Sequence, residues 1–192
     1  MKKRTDAVER YDIVIIGAGP AGLAAAGEAV HKGAQSVLII ERNPEPGGIL
    51  NQCIHDGFGI ERFSAALTGP EYIERFLPVL GEPGVTLKTS AMALELTPGR
   101  IVRYADKQGL HTVQAGAVIL ATGCRERTRG AIAVPGTRPA GVYTAGVVQR
   151  LTNMENVRVG NRAVILGSGD IGLIMARRLT LEGMEIACVL EK

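Results

Sequence analysis

The chain has 192 residues, 46% of them apolar, with no Trp, a 4% aromatic share and 25 Gly; this allows one core, or two if the second domain is small or incomplete, and a backbone rich in tight turns. Lys+Arg of 22 against Asp+Glu of 19 leaves +3 without long like-charge blocks, which argues against nucleic-acid or membrane-surface partners. Cys53, Cys124 and Cys188 are odd in number and in no metal-ligand or C-x-x-C spacing, so neither a disulfide framework nor a metal site is expected, and with no apolar stretch long enough to span a bilayer a cytoplasmic setting is expected.

The basic start Met1-Lys2-Lys3-Arg4 leads to an apolar run, Tyr11–Ile16, that is punctuated by Gly17, Gly19 and Gly22, and so reads as a strand entering a phosphate loop rather than a signal peptide. Asp12–Ile16 is β-branched with little alternation, which suits a central parallel strand covered on both faces. Pro20 falls where a missing N–H costs nothing, Ala21–Lys32 continues the helix, and Gly33 stops it. Val37–Ile40 is the next strand and delivers Glu41 at its end. Pro44–Gly59 reads as loop, and Thr68 caps a helix expected to run to about Leu80. From Val85 to Gln114, short runs alternate with turn signals, which predicts a small antiparallel meander; Ala117–Leu120 is again a buried parallel strand. The mixed charges of Arg125 to Arg129 read as a solvated connection. Ala163–Leu166, Asp170–Glu182, Gly183 and Ile186–Leu190 then repeat strand, helix, stop and strand, with Cys188 expected in the core.

Two fingerprints organise this reading. Gly17-Ala18-Gly19-Pro20-Ala21-Gly22 and Gly167-Ser168-Gly169-Asp170-Ile171-Gly172 stand 150 positions apart (167 − 17). Each precedes a glutamate, Glu41 or Glu191, by 24 residues (41 − 17), and the stop glycines share the 150-residue offset. In such a unit a strand ends at the first Gly, a helix opens beyond it, and the N-terminal N–H groups and dipole hold a pyrophosphate. The acidic side chain ending the next strand accepts from a ribose hydroxyl. Two copies imply two dinucleotides. At the second, Glu191 would repel a 2′-phosphate, so NAD(H) is expected there. Asp170, in the first turn of its helix, complements the dipole. For the first copy, spacing alone does not separate NAD from FAD.

Gly17-Ala18-Gly19-Pro20-Ala21-Gly22, Glu41-Arg42, Gly47-Gly48, Thr68-Gly69-Pro70 and Ala121-Thr122-Gly123 together resemble the FAD domain of the pyridine nucleotide-disulfide reductase superfamily, the two-dinucleotide flavoproteins that include thioredoxin reductase. The resemblance runs from about Tyr11 to the end. It implies an α/β fold: a Rossmann-like FAD-binding domain with a parallel sheet and a small antiparallel β-meander, followed by the start of a second Rossmann-like, NAD-binding domain. It also implies that Gly47, Gly48 and Ile49 approach the flavin's pyrophosphate and ribityl region and that Ala121, Thr122 and Gly123 pass close to the cofactor. The boundaries expected are 1–125 for the FAD-binding part, 126–161 for the connection and start of the NAD domain, and 162–192 for an incomplete NAD-binding unit.

Gly48 to His55 and Gly136 to Gly146 are similar to a subgroup without redox disulfides. It includes the dinucleotide-binding subunits of sarcosine and opine oxidases and relatives found beside glycerol-3-phosphate dehydrogenases. Where the superfamily's disulfide reductases carry C-x-x-x-x-C or C-x-x-C, this chain has Leu50 and His55, or Thr144-Ala145-Gly146-Val147. Electrons therefore have no internal disulfide to reach. Cys53 reads as a small buried residue and His55 as a loop histidine satisfied by backbone; no catalytic residue is assigned. The resemblance implies an FAD-dependent, NADH-linked oxidoreductase working with a partner flavoprotein subunit or a small-molecule acceptor. The alternative is a non-catalytic dinucleotide-binding subunit of an oxidase complex. In either case the 192 residues are expected to be an N-terminal portion that is inactive alone and holds FAD weakly.

Overall fold

A computed structural model describes residues 8–191, so the basic start lies outside the described residues. Packing divides them into two units, one of residues 8–51 and 58–123 and the other of 52–57 and 124–191.

The first unit is a six-stranded sheet of β1 (Glu9–Ile16), β2 (Val37–Ile40), β3 (Val85–Lys88), β4 (Met92–Leu96), β5 (Ile101–Asp106) and β6 (Gly109–Leu120), in spatial order β3-β2-β1-β6-β5-β4. The β3-β2-β1-β6 portion is parallel, and β5 and β4 extend it antiparallel. All four residues of β2 are buried, which explains its unbroken apolar run. One face packs Val14, Leu38, Ile40, Val102, Tyr104 and Val113 into a single cluster. The alternate residues Ile15 and Ile39 are equally buried, on the side where α1 (Pro20–His31) packs through Leu23 and Ala26. Each such Ile or Leu contributes about 1.5–3 kcal/mol by leaving water.

Three expectations are corrected in this unit. Val85–Lys88 is not part of the meander but pairs parallel with β2, Val37 opposite Val85. All four of its residues are only half-buried, the pattern of an edge strand of either direction, and the Val37 N–H donates to the Gly84 carbonyl where the pairing begins. The helix after Thr68 is short. Thr68 forms a capping box with Glu71 and starts α3, Gly69–Glu74, but Pro78 has no N–H and crowds the carbonyl four residues back, so the chain tightens into a 3-10 helix at Leu77–Gly81. Ala117–Leu120 does pair parallel with β1, but it is the end of the 12-residue β6 and is not buried: Ala117 and Leu120 are exposed and Val118 and Ile119 half-buried, while the start of the same strand pairs with β5. A one-turn helix, α2 (Ile60–Phe63), precedes α3.

In the second unit, β7 (Arg162–Leu166) and β8 (Glu185–Leu190) form a two-stranded parallel sheet joined through α5 (Asp170–Leu181), with α4 (Ala145–Asn153) ahead of them. Met175, Leu179 and Met184 form its core against Val148, Ala163 and Ile186. The opposite sheet face carries Val164, Leu166 and Leu190, exposed by 60%, 62% and 48%, and Cys188 opposite Val164 is exposed with them. The expectation of a core Cys188 is therefore corrected: its neighbours are apolar, but no described element covers that face.

Candidate functional site

The first loop is built where β1, β2 and β6 end together. Gly17 N–H donates to the Ile40 carbonyl at 2.9 Å and Ala121 N–H to the Ile16 carbonyl at 2.9 Å. Gly17 turns the chain at φ +108°, a conformation L side chains rarely adopt. A Cβ on Gly22 would sit on the Gly17 carbonyl, and a Cβ on Gly17 would sit on the Ala121 carbonyl, so loop, helix and third strand touch backbone to backbone. Gly19 caps α1 without a side chain, and Pro20 begins the helix. The first-turn N–H groups of Ala21 and Gly22 consequently have no intrahelical acceptor, and they stand at the positive end of the helix dipole.

Glu41 follows β2 and is 4% exposed. Its Oε2 accepts from Ala18 N–H and its Oε1 from Asn43 N–H, both at 2.8 Å, which fixes a carboxylate beside the loop. A second backbone segment closes in through Gly47 N–H, which donates to the Ala18 carbonyl at 2.7 Å. Gly48, at φ +59°, comes so near that its Cβ would lie 3.0 Å from Gly19 Cα. The cradle is thus lined by backbone and holds room that side chains would fill, as an extended pyrophosphate requires. Arg42 is exposed beside Glu41, Ile49 is 59% exposed on the 3-10 helix Gly48–Gln52, and Thr122 and Gly123 are exposed after Ala121.

The second loop repeats the turn, the glycine-to-carbonyl contact and the carboxylate contact to the loop N–H. Gly167 turns at φ +112°, its N–H donates to the Leu190 carbonyl at 2.7 Å, and a Cβ on Gly172 would sit on the Gly167 carbonyl. Gly169 caps α5, and Asp170 and Ile171 are exposed in its first turn. Val164 opposite Cys188, Ile165 opposite Val189 and Leu166 opposite Leu190 keep the register of Val14–Leu38, Ile15–Ile39 and Ile16–Ile40. Glu191 Oε2 accepts from Ser168 N–H at 2.6 Å, the counterpart of the Glu41 contact to Ala18. Ser168 also adds its hydroxyl to the same Glu191 oxygen, and among the described residues nothing lies within 4 Å of a Cβ built on Gly167.

Cys53 is buried, and desolvation pushes its thiol up, so it is no thiolate at neutral pH. His55 is half-buried, and Cys124 is exposed. Glu126 of the charged run accepts from Gly146 N–H, and Arg129 donates to the Pro135 and Gly136 carbonyls, so the run does structural work along the connection. Sequence reasoning missed the amides around Cys53. The Gly146 carbonyl can only accept, so the atom of Gln52 facing it is Nε2, which also donates to Gln149 Oε1. That orientation leaves the Gln149 Nε2 buried without a protein partner. A groove of about 420 Å³ lined by Leu23, Gly27, His31, Arg62, Arg75 and Phe76 lies along the flank of α1 and takes no fingerprint glycine. Among the described residues no group of three or more His, Cys, Asp or Glu could hold a metal, and no helix is long and apolar enough to cross a membrane.

A family model described as pyridine nucleotide-disulphide oxidoreductase matches residues 11–191. The chain is 32% identical over 199 residues to an opine oxidase subunit of Agrobacterium tumefaciens (strain Ach5), covering 97% of this chain and 38% of that protein. It is 29% identical over 192 residues to the alpha chain of sarcosine oxidase, again a subunit, of Corynebacterium sp. (strain P-1), covering 93% and 19%. The structure of Lactococcus lactis thioredoxin reductase in its FR conformation matches with a TM-score of 0.64 and 24% identity, over 94% of this chain and 55% of that one, which is a likeness of fold. The chain spans well under half the length of these two curated relatives.

Proposed function

The chain belongs to the pyridine nucleotide-disulphide oxidoreductase family, and from that premise we propose that it serves an FAD-dependent oxidoreductase that exchanges hydride equivalents with NAD(H) and has no internal redox disulfide. One observation carries the reading: the loop, its glycine contact and its carboxylate contact occur twice at a 150-residue offset, so the chain offers two dinucleotide cradles. Gly47-Gly48 held against the first loop supports FAD there, because an FAD pyrophosphate and ribityl chain need a second stretch of bare backbone. FAD, when bound, supplies the ring that takes up or returns the electron pair.

The chain's own part is to bind and orient. Gly17, Gly19, Pro20, Ala21 and Gly22 turn first-turn N–H groups toward the phosphates, and Glu41 accepts from a ribose hydroxyl. Gly167, Gly169, Asp170, Ile171, Gly172 and Glu191 do the same for NAD(H) at the second loop. No disulfide joins Cys53, Cys124 or Cys188, and in this reading electrons leave to a partner protein or an acceptor molecule. The names of the two relatives, both of them subunits, favour a partner protein. Full-length protein carrying FAD should bleach at the flavin band under anaerobic NADH; a flavin that stays oxidised would refute the proposal.

The lack of any described side chain at the loops that must break a bond favours a second reading, a non-catalytic dinucleotide-binding subunit. Loss of complex assembly without loss of turnover, on mutating Gly17 or Gly22, would select it over the first.

A further inference from the structure

We propose that Asn153 and Gln52 are positioning residues for the first cradle: through them α4 holds the rear end of the backbone stretch that closes on the first loop. The inference rests on the FAD reading of that loop and deepens it. At its front end the stretch is fixed by Gly47, whose N–H donates to the Ala18 carbonyl. Gly48, Ile49, Leu50 and Asn51 follow, and the chain then passes into the second unit at Gln52. There the Gln52 Nε2 donates to the Gly146 carbonyl and to Gln149 Oε1, both at 2.9 Å, and the Gln52 carbonyl accepts from Asn153 Nδ2 at 2.9 Å. Arg178 of α5 decides which way Asn153 points. Its guanidinium Nε can only donate, so the Asn153 atom facing it at 3.0 Å is Oδ1, which leaves Nδ2 for Gln52.

The surface that α4 buries suits this task. A helix that only had to pack would bury an apolar stripe, whereas α4 buries Gln149 and Thr152. Gln149 is 2% exposed, and its Nε2 has no partner among the described residues, so an apolar side chain there would be the more stable choice. What the amide adds is direction: its oxygen grips the Gln52 Nε2 in one register, where apolar side chains would accept several. Only Gly48 to Asn51 lie between the two anchors, so fixing Gln52 limits how far Gly48 and Ile49 can stray from the first loop. With the rear anchor in place the stretch is ordered before FAD arrives. Without it, the entropy lost in ordering the stretch opposes FAD binding.

The test measures FAD dissociation constants by fluorescence quenching, and hydrogen exchange across residues 48–57, on full-length wild type, Asn153→Asp, Gln52→Met, Arg150→Ala and Gly22→Val. Melts of the ligand-free protein serve as a fold check. Asn153→Asp keeps the oxygen that Arg178 meets and turns a second oxygen toward the Gln52 carbonyl, so it breaks the anchor without emptying the position. Gln52→Met keeps the length of the side chain and removes both donors of Nε2. Each should weaken FAD binding by about 3–10-fold, the worth of one hydrogen bond, and speed exchange across 48–57. Arg150→Ala, on α4 but paired with Glu155 at the surface, should change neither. A folded Asn153→Asp or Gln52→Met that binds FAD within about two-fold of wild type or leaves that exchange unchanged overturns the inference, as does an equal loss in Arg150→Ala. If wild type and a folded Gly22→Val bind FAD equally well, it is the first-loop reading that fails instead, since a side chain there collides with the Gly17 carbonyl.

Discussion

Replacing Glu41 and Glu191 separately by Gln turns the duplication into a controlled experiment, because the same change meets two different surroundings. At Glu41 both oxygens accept a backbone N–H at 2.8 Å inside the protein. Glutamine has one acceptor oxygen, so one of the Ala18 and Asn43 N–H groups, the first buried and the second partly so, must face an amide donor. An orphaned buried donor costs about 1–3 kcal/mol. Taking about 2 kcal/mol, a domain of roughly 100 residues should melt about 8–16 °C lower. At Glu191 both Ser168 donors meet a single oxygen, so a glutamine can turn its carbonyl to them without orphaning either, and the loss should be smaller than at Glu41. Calorimetric melts of the ligand-free protein read both shifts. Equal shifts, or a Glu41→Gln melt within about 2 °C of wild type, would show that the carboxylate does not hold the first loop together.

The cysteines and one carboxylate give further checks. Native chain treated briefly with iodoacetamide at neutral pH should be alkylated at Cys124 and Cys188, which are exposed, and only slowly at Cys53, which is buried with a raised thiol; peptide masses showing all three modified at one rate would contradict the packing. The Asp106 carboxyl is held below its ordinary value of 3.8, first by the hydrogen bond from His111 at 2.8 Å and then by Gln108 N–H. A depressed carboxylate adds stability that is present above its unfolded pKa and is lost as pH falls through the folded one. Asp106→Asn should therefore flatten the fall in melting temperature below about pH 4, and an unchanged acid limb in that variant would refute the pairing.

What was legible in the sequence is what backbone chemistry dictates locally. Strand, phosphate loop, helix, stop glycine and terminal glutamate could be read twice because each step needs a particular residue: glycine at positive φ at 17 and 167, glycine under a carbonyl at 22 and 172, proline where an N–H is spare at 20. What was hidden is what distant neighbours decide. β3 could not be assigned its direction because its half-buried residues fit either edge, and α4 escaped notice because the positions it buries include Gln149 and Thr152 rather than an apolar stripe. Cys188 was misjudged for the same reason, since an apolar strand says what a face can bury against and not whether anything is there.

The first carboxylate carries the functional weight of the first loop. Glu41 is buried and receives one backbone N–H on each oxygen, from Ala18 and from Asn43, so it is held and aimed before any ribose arrives. The strand end at Ala121 closes on the same loop from the other side, where a Cβ on Gly17 would meet the Ala121 carbonyl. A site preorganised in this way tolerates little change in what lines it. Adding a hydroxyl at position 18 (Ala18→Ser) would therefore crowd a fully buried position beside a carboxylate already held by two donors, and should weaken the first loop rather than retune it.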